Sequence, residues 1–174
     1  MHTWITSVFA YQDFRIKRLV WMLKYKNARR VAKLFAPHMG RALTELVGEE
    51  ERFLGAQIVL VPIPLSQKRK RMRGYNQAEL LARKIVEYMP EGSCRVDTTI
   101  LKKDIETTPQ ADIHKRSDRL KNLGQCFSVS RQPRGGETIV LVDDVTTTGA
   151  TFAEARRALK EAGYRKVRAL SVGH

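Results

Sequence analysis

Residues 139–151 read IVLVDDVTTTGAT, so that two carboxylates, Asp143 and Asp144, close an apolar run and are followed by Val145, three threonines and a glycine. A buried strand that only had to turn would manage with one Asp or Asn and a Gly. Two adjacent acids indicate a ligand. The small residues Thr146, Thr147, Thr148, Gly149, Ala150 and Thr151 let successive backbone N–H groups converge on an anion at the start of a helix, where the macrodipole also favours negative charge. The carboxylates would repel that anion and suit vicinal hydroxyls or a metal beside it. The set fits a ribose 5-phosphate, with the diol on Asp143 and Asp144 and the phosphate on the loop 146–151. A plain structural turn is one alternative. A receiver domain is another, since acids also follow an apolar strand there, but only 30 residues follow Asp144, too few for the remaining strands. No G-x-x-x-x-G-K-[ST] run is present, which argues against a P-loop nucleotide hydrolase.

Charge points the same way. Thirty-two Lys and Arg against 18 Asp and Glu leave a formal net charge of +14, so an anionic partner is expected: nucleic acid, a phosphate-rich small molecule or an anionic surface. Nine basic residues and no acid lie between Arg15 and Thr44, and QKRKRMR at 67–73 adds five more. The first run has a plain reading as a solvated helix face, and the second as a solvated loop. For the second, pyrophosphate binding and nucleic-acid contact compete with it. His38 and His114 lack metal-ligand spacing, Cys94 and Cys126 read as packing residues, and no metal-ligating set is found. Trp21 and Phe35 sit at helical core spacing and read as core, not as platforms for stacked bases.

The elements that must position these residues follow from periodicity. Ile16, Leu19, Val20 and Leu23, then Val31, Leu34, Phe35 and Ala42, predict two helices within 14–47, interrupted near Pro37. AQIVLVPIPL at 56–65 reads as a buried strand, and NQAELLARKIVEYM as a helix capped by Asn76 with Glu79 three residues on. A short strand is expected within 96–101 and another at 126–129. TIVLVDD is the clearest strand, followed by a helix over 152–162 and a strand at KVRALSV. Strand and helix alternate from residue 57 onward, which predicts one domain over 1–174 with a mainly parallel sheet covered by helices. No apolar run approaches the ~20 residues of a membrane span, no secretory signal stands at the start, and a cytoplasmic, membrane-free protein is expected.

VLVDDVTTTGAT resembles the phosphoribosyl pyrophosphate (PRPP) signature of type I phosphoribosyltransferases. More of the chain is similar to the ComF family within them: the basic early helix LKYKNARRVAKLF, the segment VPIPLSQKRKRMRGYNQAELLARKI, and the series Thr108, Gln110, Arg116, Asn122 and Phe127. Members of that family often begin with a cysteine-rich zinc segment, to which nothing here corresponds. The resemblance implies a type I phosphoribosyltransferase fold, with a helical hood in 1–55 and a PRPP-binding core in 56–174. It implies PRPP carrying Mg²⁺, loss of pyrophosphate, and capture of the ribosyl C1 by a nucleobase or amine. Asp143 and Asp144 would hold the ribose hydroxyls at the catalytic centre and residues 145–151 the 5-phosphate. Pro64, Leu65, Ser66 and Arg73 would receive pyrophosphate, and Gln110 and Arg116 would belong to a mobile loop. A member that binds PRPP without turnover and serves DNA uptake is the alternative. The acceptor and the oligomeric state are not readable.

Overall fold

A computed structural model describes residues 4–48, 55–103 and 126–174; Gln110, Arg116, Thr108, Asn122 and His114 lie outside these. Five strands form one parallel sheet in the order β1-β7-β6-β2-β3: β1 (Ile5–Phe9), β2 (Gln57–Pro62), β3 (Cys94–Val96), β6 (Glu137–Val145) and β7 (Lys166–Gly173). β4 (Leu101–Lys103) and β5 (Phe127–Val129) pair antiparallel beside it. The helices are α1 (Phe14–Tyr25), α2 (Val31–Val47), α3 (Gln67–Arg73), α4 (Gln77–Tyr88) and α5 (Ala150–Glu161).

Strand alternation divides the core between the two faces. Ile58, Leu60, Val140, Val142, Leu170 and Val172 pack with Leu23 of α1, Phe35 and Met39 of α2, and Leu81 and Ile85 of α4. Val59, Val61, Ile139, Leu141 and Ala169 meet Phe152 and Leu159 of α5, with Leu101 and Phe127 from the two-stranded sheet. The result is the expected α/β arrangement of helices over both faces of a parallel sheet. Among the described residues no helix is long and apolar enough to cross a membrane.

Several local expectations need correction. The break between the first two helices falls at residues 26–30, where Asn27 takes a left-handed φ of 50°, and α2 runs through Pro37. The lost hydrogen bond costs about 3 kcal/mol, and the continuous buried face of Val31, Ala32, Phe35, Ala36, Met39, Leu43 and Val47 offsets it. QKRKRMR is a helix, capped by Ser66 and ended by Gly74 at φ 75°. β1 went unread, and β3 and β4 replace the single strand expected within 96–101. Trp21 is not core: it is 48% exposed, whereas Phe35 is buried as expected. Asn76 caps α4 by accepting from the Ala78 N–H, but Glu79 turns to Arg83 and does not complete a box.

Candidate functional site

Asp143 and Asp144 lie at the carboxyl end of β6, where open parallel sheets place their ligands. Parity puts their side chains on opposite faces: Asp143 continues the side of Ile139 and Leu141, Asp144 that of Val140 and Val142. A ligand that meets both must therefore sit above the strand's end. The Asp144 N–H donates to Asp143 Oδ1 at 2.8 Å. Burial, and then the neighbouring Asp144 charge, push the Asp143 carboxyl up to about 7 from its ordinary 3.8, against the pull of Lys24 and Arg73.

Cations approach this end from both faces. Lys24, in the last turn of α1, pairs with Asp144 at 2.9 Å, its side chain 20% exposed and that of Asp144 8%. Arg73 closes α3, donates to Gln77 Oε1 at 2.9 Å, and stacks 5.4 Å from the Tyr25 ring centroid. Among the described residues its buried Nε has no hydrogen-bond partner, a donor that an anionic ligand would satisfy. On the other face Lys103 lies over the Phe127 ring at 5.6 Å. Burial pushes its ammonium down, the Arg69 charge adds to this, and Cys126 and Asp143 work against it.

The segment after β2 is brought beside the acids, because the Ile63 N–H donates to Val142 O at 2.9 Å. The Asn76 side-chain amide holds the Ile63 carbonyl at 3.0 Å while its oxygen caps α4. Pro64 and Leu65 are half-buried, and the buried Ser66 accepts from the Arg69 N–H at 3.4 Å. After Asp144, the Thr146 N–H is held by Gly173 O at 3.0 Å, and Thr147 and Thr148 are exposed. Gly149 stands at φ 74°, ψ 0° as the N-cap of α5, and the Ala150 N–H at that helix start donates to Thr148 Oγ1 at 3.4 Å. Glycine enters this conformation at no steric cost, whereas a β-branched side chain would be strained there.

The sequence-derived residues of the acid pair, the 145–151 loop, the post-β2 segment and Arg73 thus gather at one end of the sheet. Lys24 and Lys103 join them and were not anticipated as site residues, and so does Arg69, from the basic run for which pyrophosphate binding was one reading. For Lys24 a signal existed: it lies four residues after Val20, on the apolar inner stripe of α1, where a lysine needs a partner. The carboxylates of Asp97 and Glu137 form a separate network at the opposite end, with Glu137 completely buried beside Arg95 at 2.9 Å and Arg131 at 2.8 Å. A cleft lined by Gly40, Arg41, Thr44, Tyr88 and Ser93 also lies at that far end, near Gln57.

No family model matches the chain. Competence protein ComFC of Bacillus subtilis (strain 168) is 30% identical to it over 158 residues, which is 90% of this chain and 58% of that protein. DNA utilization protein YhgH of Escherichia coli (strain K12) is 31% identical over 147 residues, 83% of this chain and 61% of that protein. Competence protein F of Haemophilus influenzae is 33% identical over 110 residues, 62% of this chain and 46% of that protein. The chain belongs to the ComF family. It spans about three fifths of the length of the first two ComF relatives and less of the third. In this ComF member α1 supplies a cation to the acid pair, so the basic early helix is part of the site's architecture as well as of the surface.

Proposed function

We propose that the protein binds PRPP at the carboxyl end of β6 and transfers its phosphoribosyl group to an acceptor with release of pyrophosphate. The observation that carries this reading is the acid pair followed, five residues after Asp144, by a left-handed glycine at the start of α5, with Arg73 beside it. The 5-phosphate would take N–H groups of the loop after Thr146, over 147–151, the ribose diol would donate to Asp143 and Asp144, and pyrophosphate would meet Arg73 next to residues 64–66. Loss of pyrophosphate leaves an oxocarbenium-like sugar. Two carboxylates beneath it stabilise that charge, and fixed cations stabilise the leaving group without reorganisation. Diol donation favours the ionised form of Asp143, so binding would release a proton near neutral pH.

A magnesium ion would arrive on the pyrophosphate, and the adjacent carboxylates of Asp143 and Asp144 are the hard oxygen donors that fit it and would hold it. Its chemistry would be to neutralise the departing diphosphate. A nucleobase or an amine is the acceptor class this chemistry takes, and the cytoplasm is where such a reaction belongs.

A second reading, PRPP binding without turnover in the service of DNA handling, is favoured by one observation. Trp21 and Tyr25 are 48% and 55% exposed on α1 with ring centroids 6.2 Å apart, in a helix with basic residues and no acid. Exposed rings among cations suit stacked bases of single-stranded nucleic acid, and the relatives named for competence and DNA utilization agree with it. Pyrophosphate release from PRPP across a panel of bases and amines, run beside a DNA titration, separates the two. Release with any acceptor supports transfer; DNA binding with no release supports the second reading.

A further inference from the structure

We infer that Lys24 is the residue through which this site selects a ribose 5-phosphate bearing an anionic group at C1 over the same sugar without one, by direct contact of its ammonium with that group. This rests on the phosphoribosyl reading of the acid pair and goes beyond it in assigning α1 to the ligand. Lys24 is held at 2.9 Å from the carboxylate proposed to take a ribose hydroxyl. A hydroxyl on the same carboxylate would lie within roughly 3–5 Å of the ammonium, given ordinary hydrogen-bond lengths. Lysine carries three donors, and Asp144 accepts from one of them.

Position gives the cation its second partner. Lys24 and Arg73 both stand beside the acid pair. A ribose 5-phosphate would put its phosphate on the loop and its diol on the acids, so its charge would lie away from these two cations. A further anionic group on C1 would face them. Arg73 approaches from α3, and Lys24 from α1. The lysine is pre-positioned, because the Tyr75 hydroxyl donates to Leu23 O and Arg73 stacks on Tyr25, which together fix the last turn of α1. Pre-organised cations lose little freedom on binding.

The test is calorimetric titration of PRPP and of ribose 5-phosphate, with magnesium, into the full chain and into Lys24→Gln, Lys24→Met and Lys24→Arg. Working at pH 8.5 stays above the range in which Asp143 titrates. Lys24→Gln keeps a donor for Asp144 and removes the charge, and thermal melting verifies each variant's fold. The wild-type protein should prefer PRPP. Both neutral variants should lose about tenfold or more of that preference, the range of a charge-assisted hydrogen bond, while Lys24→Arg should keep most of it. An unchanged PRPP to ribose 5-phosphate ratio in a folded neutral variant overturns the inference and leaves the site reading standing. A wild-type protein that binds neither sugar phosphate overturns both.

Discussion

Asp143 combines partial burial with a neighbouring like charge, and its carboxyl therefore holds its proton up to about 7. A folded-state pKa above the unfolded one means that the group's contribution to stability is full below about 4 and is lost as pH rises through about 7. Asp143→Asn, whose amide oxygen can still accept from the Asp144 N–H, should thus melt a few degrees higher than the wild-type protein at pH 8. The difference should vanish near pH 4, and melting curves across that range check both parts. Such a cost, kept in the wild-type sequence, is what a ligand site that needs a charge would carry. Gly149 makes a different demand. At φ 74° a β-branched side chain is strained, so Gly149→Val should cost about 1–2 kcal/mol in stability and weaken ribose 5-phosphate as well as PRPP. Gly149→Asn, which tolerates the left-handed region, should keep more of both, as denaturation and calorimetry would read.

At the scale of elements, the carboxyl ends of β2 and β6, the last turn of α1 and the end of α3 converge, and each arrives for a local reason. Asn76 pins the chain after β2, Ser66 and Gly74 bound α3, and Tyr75 ties α1 down. The acid loop, the post-β2 segment, β6, α4 and the parallel sheet were legible because their signals are local: an apolar run, caps, and an acid pair next to small residues. Lys24, Lys103 and the buried Glu137 network were not, since each depends on partners far off in the chain. Pro37 misled for the related reason that tertiary burial outweighs a local breaker. Trp21 misled because helical spacing cannot say which side of a helix a large ring takes. The Glu137 network predicts its own measurement. Arg131 hydrogen bonding holds the Glu137 carboxyl below its ordinary range, while at Asp97 burial is overcome by hydrogen bonds from Thr99, Arg95 and Arg131, to about 2. Glu137→Ala should lose about 3 kcal/mol in chemical denaturation at pH 7, because the guanidinium of Arg131 is left without its buried partner. The wild-type advantage should shrink as pH falls below the ordinary carboxylate range, where Glu137 takes up its proton.

For the whole molecule, a net charge of +14 serves both proposed readings, and the distribution of that charge separates them. Lys24 belongs to the acid site, so a test of the outer face should spare it and use the exposed Arg18, Trp21 and Arg30. If that face meets single-stranded DNA, Arg18→Glu with Arg30→Glu should lower the log–log salt slope by roughly 0.7 per lost phosphate contact. Trp21→Ala should weaken binding by about 1–3 kcal/mol, and PRPP affinity should stay near the wild-type value. No DNA binding by the unaltered protein at low salt would remove that reading and leave the helix charge as attraction for a polyanionic substrate. The central claim, that the acid pair and its loop bind PRPP, is tested most directly by calorimetry of PRPP with magnesium on the wild-type protein and on Asp143→Asn/Asp144→Asn, with melting to verify the fold. Binding by the wild-type protein and a loss of about tenfold or more in the folded double variant is the predicted result; equal affinity in the two proteins would contradict it.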